Sequence, residues 1–586
     1  MFDAAQKSEC EGLIDDFKEN VMRMMSSVTL INGPVYARYN RILAHLCLLI
    51  GREQEAIFHL TESHAVTFRI SALKLSEDCE DEQSNSSVLP RSSLKSDYFS
   101  FSCSKFQNGS EKLKDRLKCL PSEWTLVQLT FDHDETESWF KTSDTKMLPL
   151  HITRLPCGNM LSKNRRPVTI TLTEAQNTNK TVGTISILEQ VNQLIKQFNA
   201  TGLSNTEKRQ KRANADKQMK QVVGELITSW LKEWSCLLIG RLKDTKLEQK
   251  IVDEVDRFIK NYKKPDENVM DVEKVRTVLY QVVDCCAHSS ETFIRSAIEY
   301  CVRDKILSDS FVKSILNFKK QHTTALMRAL RHPVLLILDD RLECIPWEMT
   351  SVLLKHPVSR VSSLHVACAL FDKHRQKMKN GIVVINETKS GFYVVNPDKD
   401  LVSTEKIISD FIGKRKLGWE GVAGEKPSSK QVIRSLHENK VFLYSGHGNG
   451  CHFLDFDELE RTHITVIPML FGCSSASKKR IGEGGISELW GVSDQYLLAG
   501  SPCYFGMLWS ALNIPTNVLT LAFLNICLPG VPINVNEVFG QDVIDDDVKQ
   551  ELELLRAVRP AKAAVSMYMN AAAFIARGIP VAFTLN

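Results

Sequence analysis

Beyond His332 and Pro333 the chain alternates short, almost wholly apolar runs with helical stretches. The runs occupy 334–338 (VLLIL), 382–385 (IVVI), 392–395 (FYVV), 441–444, 464–471 and 503–507. Helical stretches at 351–354, 403–412 and 430–439 separate several of them. A strand without a polar face has no side to give to water, so both faces of its sheet must be covered. This alternation predicts an α/β fold with a mostly parallel sheet between layers of helices. In such sheets reactive groups sit at the carboxyl ends of adjacent strands.

Two of the strands lead into glycine-containing turns. One reads Val441-Phe442-Leu443-Tyr444-Ser445-Gly446-His447-Gly448, the other Ile464-Thr465-Val466-Ile467-Pro468-Met469-Leu470-Phe471-Gly472-Cys473-Ser474-Ser475. The glycines let the chain leave each strand in a tight turn. Two such turns at one sheet edge bring an imidazole and a thiol together, the minimum equipment of a cysteine protease. The imidazole takes the thiol proton, and the thiolate of Cys473 attacks a peptide carbonyl. Backbone N–H groups of Gly448 and Cys473 are candidates to hold the oxyanion, and His447 then protonates the leaving amine. Taken singly, a cysteine at a strand end is more often inert packing, and a lone Gly-His-Gly is weak. A metal site is the rival use of His447, Cys451, His452, His463 and Cys473, but their spacing matches no paired metal framework, so no metal is expected. Gly482, Gly484 and Gly485 lack the lysine and the helix of a phosphate loop, and no cofactor is expected.

A chain of 586 residues exceeds one core, so two to four domains are expected. Hydrophobic residues make up 43% and charged residues 25%, an ordinary globular composition. A net charge of +4 argues against a dedicated, sequence-specific nucleic-acid binder. The opening MFDAAQKSEC has no secretory pattern, and no apolar run approaches the roughly 20 residues of a bilayer span, so no membrane association is expected. The 16 cysteines are scattered, mostly within apolar runs, and read as reduced core thiols of the cytosol or nucleus.

Residues 1–75 show helical spacing. Residues 76–115 open on an acidic run and are rich in serine, which predicts a disordered linker. Residues 116–330 begin with strands, such as PVTITLT at 167–173, and continue as helices, with a helical insert at about 183–265. Within it Lys208-Arg209-Gln210-Lys211-Arg212 reads equally as a nuclear-import cluster or a solvated helix end. The α/β section fills 331–586.

Several segments of that section resemble separase, a family of caspase-like cysteine proteases. They are Pro346-Trp347-Glu348, Phe392-Tyr393-Val394-Val395-Asn396-Pro397, Ser403-Thr404-Glu405, Gly418-Trp419-Glu420-Gly421, Ser445-Gly446-His447-Gly448-Asn449-Gly450, Leu470-Phe471-Gly472-Cys473-Ser474-Ser475-Ala476, Ala499-Gly500-Ser501-Pro502-Cys503 and Gly506-Met507-Leu508-Trp509. The resemblance implies a caspase-like protease domain at 331–586, preceded by a pseudoprotease-like, substrate-binding domain at 116–330. It implies His447 and Cys473 as the catalytic pair. It also implies cleavage of the kleisin subunit of cohesin after an arginine, usually with an acid three positions earlier, to release sister chromatids. A securin-type inhibitor would lie along the site as a pseudosubstrate. The implied location is cytoplasm and nucleus, with chromosome or spindle association in mitosis.

The chain departs from the family pattern in two ways. Separases usually carry aspartates after the Leu-Trp pair, and here Trp509 is followed by Ser510-Ala511-Leu512-Asn513-Ile514-Pro515-Thr516-Asn517. Arginine selectivity needs an anionic partner. Asn513 and Asn517 offer dipoles alone, and Glu488 and Asp494 are the nearest upstream acids. This leaves open a protease-like scaffold of impaired or altered specificity. The second departure is the short helical segment ahead of the protease, from which a separate helical subunit docking on 1–75 is expected. Glu-x-x-Arg occurs at Glu254–Arg257, Glu273–Arg276, Glu458–Arg461 and Glu553–Arg556, mostly in helical pattern, so efficient self-cleavage is not expected.

Overall fold

The computed structural model describes residues 11–17, 19–20, 33–83, 94–101, 108–132, 149–160, 165–173, 184–262, 271–386, 390–480, 488–539 and 550–584. Eleven strands form one sheet: β1 (Thr125–Phe131), β2 (Leu150–Pro156), β3 (Val168–Leu172), β4 (Val334–Leu338), β5 (Val358–Arg360), β6 (Gly391–Val395), β7 (Glu420–Ala423), β8 (Val441–Ser445), β9 (Ile467–Leu470), β10 (Cys503–Met507) and β11 (Phe574–Gly578). Their spatial order is β3-β2-β1-β4-β5-β11-β10-β9-β8-β6-β7. Pairing is parallel except at β3–β2, β2–β1 and β11–β10. Every residue of β4 and β8 is buried, as two-sided cover of a parallel sheet requires.

The sheet crosses the boundary expected at 330/331. β1 pairs in parallel with β4 along five residues, so β4 and β5 complete a half-sheet that β1–β3 begin. The reversal at β11–β10 makes the two halves run in opposite directions. The carboxyl ends of β8–β10 therefore share an edge with the amino ends of β1, β4 and β5.

Helices α1 (Gly33–Leu49), α2 (Glu53–Glu62) and α3 (Val66–Gln83) lie in and just beyond the segment 1–75, and they belong to the main body. Ile57, Phe58 and Phe68 lie in the same core as the sheet. Glu62 accepts from Arg69 at 2.9 Å and from Tyr36 at 2.7 Å, and stands 2.9 Å from His365 of the protease half, all four buried. The linker expected at 76–115 is corrected where it is described. Residues up to Gln83 continue α3, and α4 (Gly109–Cys119) begins before its expected end. Between them Leu94, Phe99 and Phe101 are buried. Arg69 binds the carbonyls of Phe99 and Ser100 at 3.2 and 3.0 Å and lies over the Phe101 ring. The serine-rich composition concealed these three apolar anchors, whose partner stands far back in sequence. The rest of the linker, at 84–93 and 102–107, lies outside the described residues.

The insert is built from α5 (Thr184–Phe198), α6 (Asn205–Glu225) and α7 (Thr245–Asn261), with α8 (Val272–Cys285), α9 (Glu291–Cys301) and α10 (Lys305–Arg328) behind it. Ser204, Asp244, Asp271, Ser290 and Asp304 each accept a first-turn N–H, which fixes where five of these helices start. The basic cluster at 208–212 lies on α6, with Arg209 and Lys211 exposed. In the protease half the cover is α11 (Leu364–His374), α12 (Val402–Lys414), α13 (Ser429–Glu438), α14 (Val492–Leu498), α15 (Asn513–Cys527) and α16 (Tyr568–Ala573).

The halves meet at β5–β11, where the ladder has one residue pair, Arg360 with Arg577. Their side chains reinforce it. Arg360 grips Glu348 with two bonds of 2.8 and 2.9 Å and the carbonyls of Glu343 and Ile345 at 2.6 and 2.7 Å. Arg577 grips both Glu343 oxygens at 3.2 and 2.8 Å and the Ala476 carbonyl at 3.0 Å. All four charged residues are buried. Burial pushes both carboxyls up, but Arg577, Lys478 and Arg360 hold Glu343 well below its ordinary range, and Arg360 holds Glu348 below it.

Removing one partner of such a group strands a buried charge, which costs about 3–5 kcal/mol. Arg360→Met is expected to lower unfolding free energy by that amount in a denaturant titration. Because both carboxyls titrate lower when folded, their stabilisation is complete above the ordinary glutamate value of 4.5 and falls away in acid below it. The wild-type protein should therefore lose stability below that pH more steeply than Arg360→Met.

Candidate active site

Register places four loops level with one another. Tyr444 of β8 pairs with Leu470 of β9, Leu470 with Gly506 of β10, and Tyr444 with Val394 of β6. His447 stands three positions past Tyr444, Cys473 three past Leu470, and Trp509 three past Gly506. The imidazole turn, the thiol turn, the neutral loop after Trp509 and the Asn396–Asp400 loop after β6 thus leave one sheet edge side by side.

The first two turns touch through backbone. A Cβ on Gly472 would overlap the carbonyl oxygen of Gly448 and press on the Tyr444 ring, so no side chain fits there. Gly448 has φ +64°, the left-handed region that glycine enters freely. The Tyr444 hydroxyl donates to the His447 carbonyl and pins the imidazole turn to its strand.

The thiol turn is pinned on its far side. Ser475 is fully buried, donates to the Leu470 carbonyl at 2.6 Å and accepts from Met507 N–H at 2.9 Å. The Tyr504 hydroxyl donates to the Ser475 carbonyl at 2.6 Å. Ser474 has φ +57° and donates to the Trp509 carbonyl at 3.3 Å. Ala476 donates to the Met507 carbonyl at 2.8 Å and accepts from Arg577, which joins this loop to the ion group at the half-sheet junction.

His447 and Cys473 are both reachable from solvent. The imidazole is 53% exposed, and its Nε2 lies 2.9 Å from an oxygen of Asp400. With Nε2 engaged, Nδ1 is the ring nitrogen left for another partner. Cys473 is half-buried, its Sγ 3.8 Å from the Ala511 carbonyl. The N–H groups of Gly448 and Cys473 make no hydrogen bond among the described residues, so both can meet an oxyanion. Asp400 was missed in the sequence because its loop also carries Asp398 and Lys399. The available signal was an acid just beyond a third strand end.

The four residues considered for substrate binding are placed differently. Glu488 accepts from the N–H groups of Val66 and Thr67 at 3.0 and 2.6 Å, capping α3. Asp494 is 1% exposed and holds Lys478 at 2.9 Å, Ser362 at 2.9 Å and Gly491 N–H at 3.0 Å. Neither carboxylate is available to an incoming guanidinium, which corrects that expectation. Asn517 is buried one turn into α15 and donates to Thr404 at 3.1 Å, so it too is withdrawn from substrate. Asn513, exposed at the start of α15, accepts from Thr404 at 2.7 Å.

Fold and loops together define a caspase-like α/β protease class with a cysteine at the centre. The family model "Separin, protease domain" matches residues 150–511, a range that contains His447, Gly448 and Cys473. The chain belongs to the separin, or separase, family. It is 33% identical over 202 residues to separin of Mus musculus, covering 34% of this chain and 9% of that protein. It is 29% identical over 326 residues to separin of Emericella nidulans, covering 54% and 14%. With separin of Saccharomyces cerevisiae the identity is 22% over 463 residues, covering 73% and 27%. The matches thus span a quarter or less of most of these relatives' length. Among solved structures, separase in the Saccharomyces cerevisiae separase–securin complex superposes with a TM-score of 0.70 at 17% identity, over 100% of this chain and 38% of that one.

Gly472→Ala tests the contact between the turns. Displacement of reacting groups by about 1 Å costs on the order of 100-fold in rate. The variant is expected to remain folded by circular dichroism and to lose about that factor in alkylation of Cys473 by a substrate-like ketone.

Proposed function

We propose that this chain is a separase-type cysteine endopeptidase acting in sister chromatid separation, with Cys473 as nucleophile and His447 as acid and base. The observation that carries this reading is the level register of the two turns, closed by the side-chain-free contact of Gly472 with Gly448. His447 Nδ1 takes the thiol proton while Asp400 holds Nε2–H. The thiolate attacks the peptide carbonyl, and the N–H groups of Gly448 and Cys473 receive the oxyanion. The imidazolium protonates the leaving amine, and a water activated by the same imidazole hydrolyses the thioester.

The proposed substrate is the kleisin subunit of cohesin, cut after arginine, and the proposed inhibitor a securin segment seated in the same groove. Asp400 answers the want of an acid after Trp509. Of the acids in the adjoining loops, Asp398 is paired with Lys426, Asp455 caps a helix, and Glu405 is held by Asn396. Asp400 is 57% exposed and uses one oxygen on His447, leaving the other for a guanidinium. Three of the four Glu-x-x-Arg segments lie within helices and the fourth starts one at Glu553, so none offers an extended strand for self-cleavage. The proposed location is cytoplasm and nucleus, on chromosomes or spindle during mitosis. The neutral loop 510–513 favours a second reading, a protease-like scaffold of altered specificity.

Arginyl and citrullyl acyloxymethyl ketones decide between them. The citrulline probe keeps shape and loses charge. Wild-type protein should be labelled at Cys473 on the order of 10- to 100-fold faster by the arginyl probe, the worth of a charge-assisted hydrogen bond. Cys473→Ser should take no label. Asp400→Asn should erase the preference while still reacting with the citrullyl probe. Equal slow labelling of wild type by both probes supports the scaffold reading.

A further inference from the structure

Away from the catalytic loops, four arginines converge on one shallow recess. It is open to solvent and lies where β1 begins and β2 ends, against α8. Arg154, Arg165, Arg166 and Arg241 line it with Thr277 and Gln281, and among the described residues no acidic side chain does. Arg154 is 6% exposed and donates to the carbonyls of Leu237 and Ile239 at 2.8 and 2.6 Å, with no carboxylate bonded to it among the described residues. Its direct bonds are to carbonyl dipoles, and Asp284, the acid whose charge reaches it, is already bonded to Arg331.

The neighbouring acids do not balance the cations. Glu248 serves both Arg165 and Arg241. Glu53 serves both Arg166 and Lys274, and Asp271 also meets Arg166. Among the described residues five cations therefore face three carboxylates, while nearby Arg331 and Asp284 cancel each other. His332 beside them is driven down to about 4 by burial and by Arg241 and Lys243, as a positive field demands. Two polar atoms here are buried without a partner: Nε of Arg166 and Oε1 of Gln281, whose residue is 2% exposed. Rotation of the Gln281 amide would turn its NH₂ toward an anion.

We propose that this recess is a binding site for a phosphate group, a tetrahedral dianion whose charge matches the excess of two. Planar guanidinium forks suit phosphate oxygens better than any other side chain. The anion would join Arg154 of β2 to Arg241 and Gln281 of the helical section, so binding locks the helices onto the sheet. The same chemistry can arrive free or on a phosphorylated side chain.

Calorimetric titration at constant ionic strength tests this with two probes, inorganic phosphate and N-acetyl-phosphoserine amide. The proposal expects saturable 1:1 binding of at least one, weakened tenfold or more in Gln281→Glu, which sets a carboxylate in the recess with almost no change of shape. Tighter binding of the phosphoserine probe identifies a ligand carried on protein, and tighter binding of inorganic phosphate identifies a free anion. Arg154→Met should abolish binding; should it not fold, Gln281→Glu decides alone. Heat no greater than that of chloride for both probes, or unchanged affinity in Gln281→Glu, overturns the proposal.

Discussion

One cluster of buried charge holds the two half-sheets together. At β5–β11 the backbone ladder has a single parallel pair, too little to fix one half of the sheet against the other. Arg360 and Arg577 replace the missing ladder with fork-shaped bonds to Glu343 and Glu348 and to backbone carbonyls. Glu343 bonds to both guanidiniums, so it is the link. Fully bonded charge is directional in a way that apolar packing is not. Arg577 carries that direction onward to the Ala476 carbonyl, three residues past Cys473. The Cys473 loop and the half-sheet junction are thus one construction.

The candidate site follows from sheet register once that junction is set. Parallel pairing of β8, β9 and β10 levels three strand ends, and equal three-residue offsets set His447, Cys473 and Trp509 in a row. Backbone contact between two of the turns leaves room only for glycine at 472. Serine and tyrosine hydroxyls then hold the thiol turn against β10. Rigid elements position the turns that carry His447 and Cys473, while both side chains stay reachable from solvent.

Much of this was legible in the sequence. Two-sided apolar strands announce a covered parallel sheet, and glycines around His447 and Cys473 announce turns at its edge. Pro346-Trp347-Glu348 was readable as a motif, although its service to Arg360 was not, because the partners sit on different elements. What escaped was mostly polar pairing over long sequence separations. Glu488 reads as a free surface acid until Val66 and Thr67 are seen beneath it. Asp494 reads as a substrate ligand until Lys478 is seen to hold it. Residues 94–101 read as linker because the side chain that organises them, Arg69, comes earlier in the chain. Continuity of the sheet across 330/331 was hidden because strand order in space is not strand order in sequence.

The most direct test of the account is a crystal structure of the protein trapped by an arginyl acyloxymethyl ketone. The account predicts a thioether to Cys473 Sγ, the ketone oxygen on the N–H groups of Gly448 and Cys473, and the guanidinium on Asp400. A ketone oxygen turned away from Gly448, or a guanidinium held by an acid of another element, would contradict it.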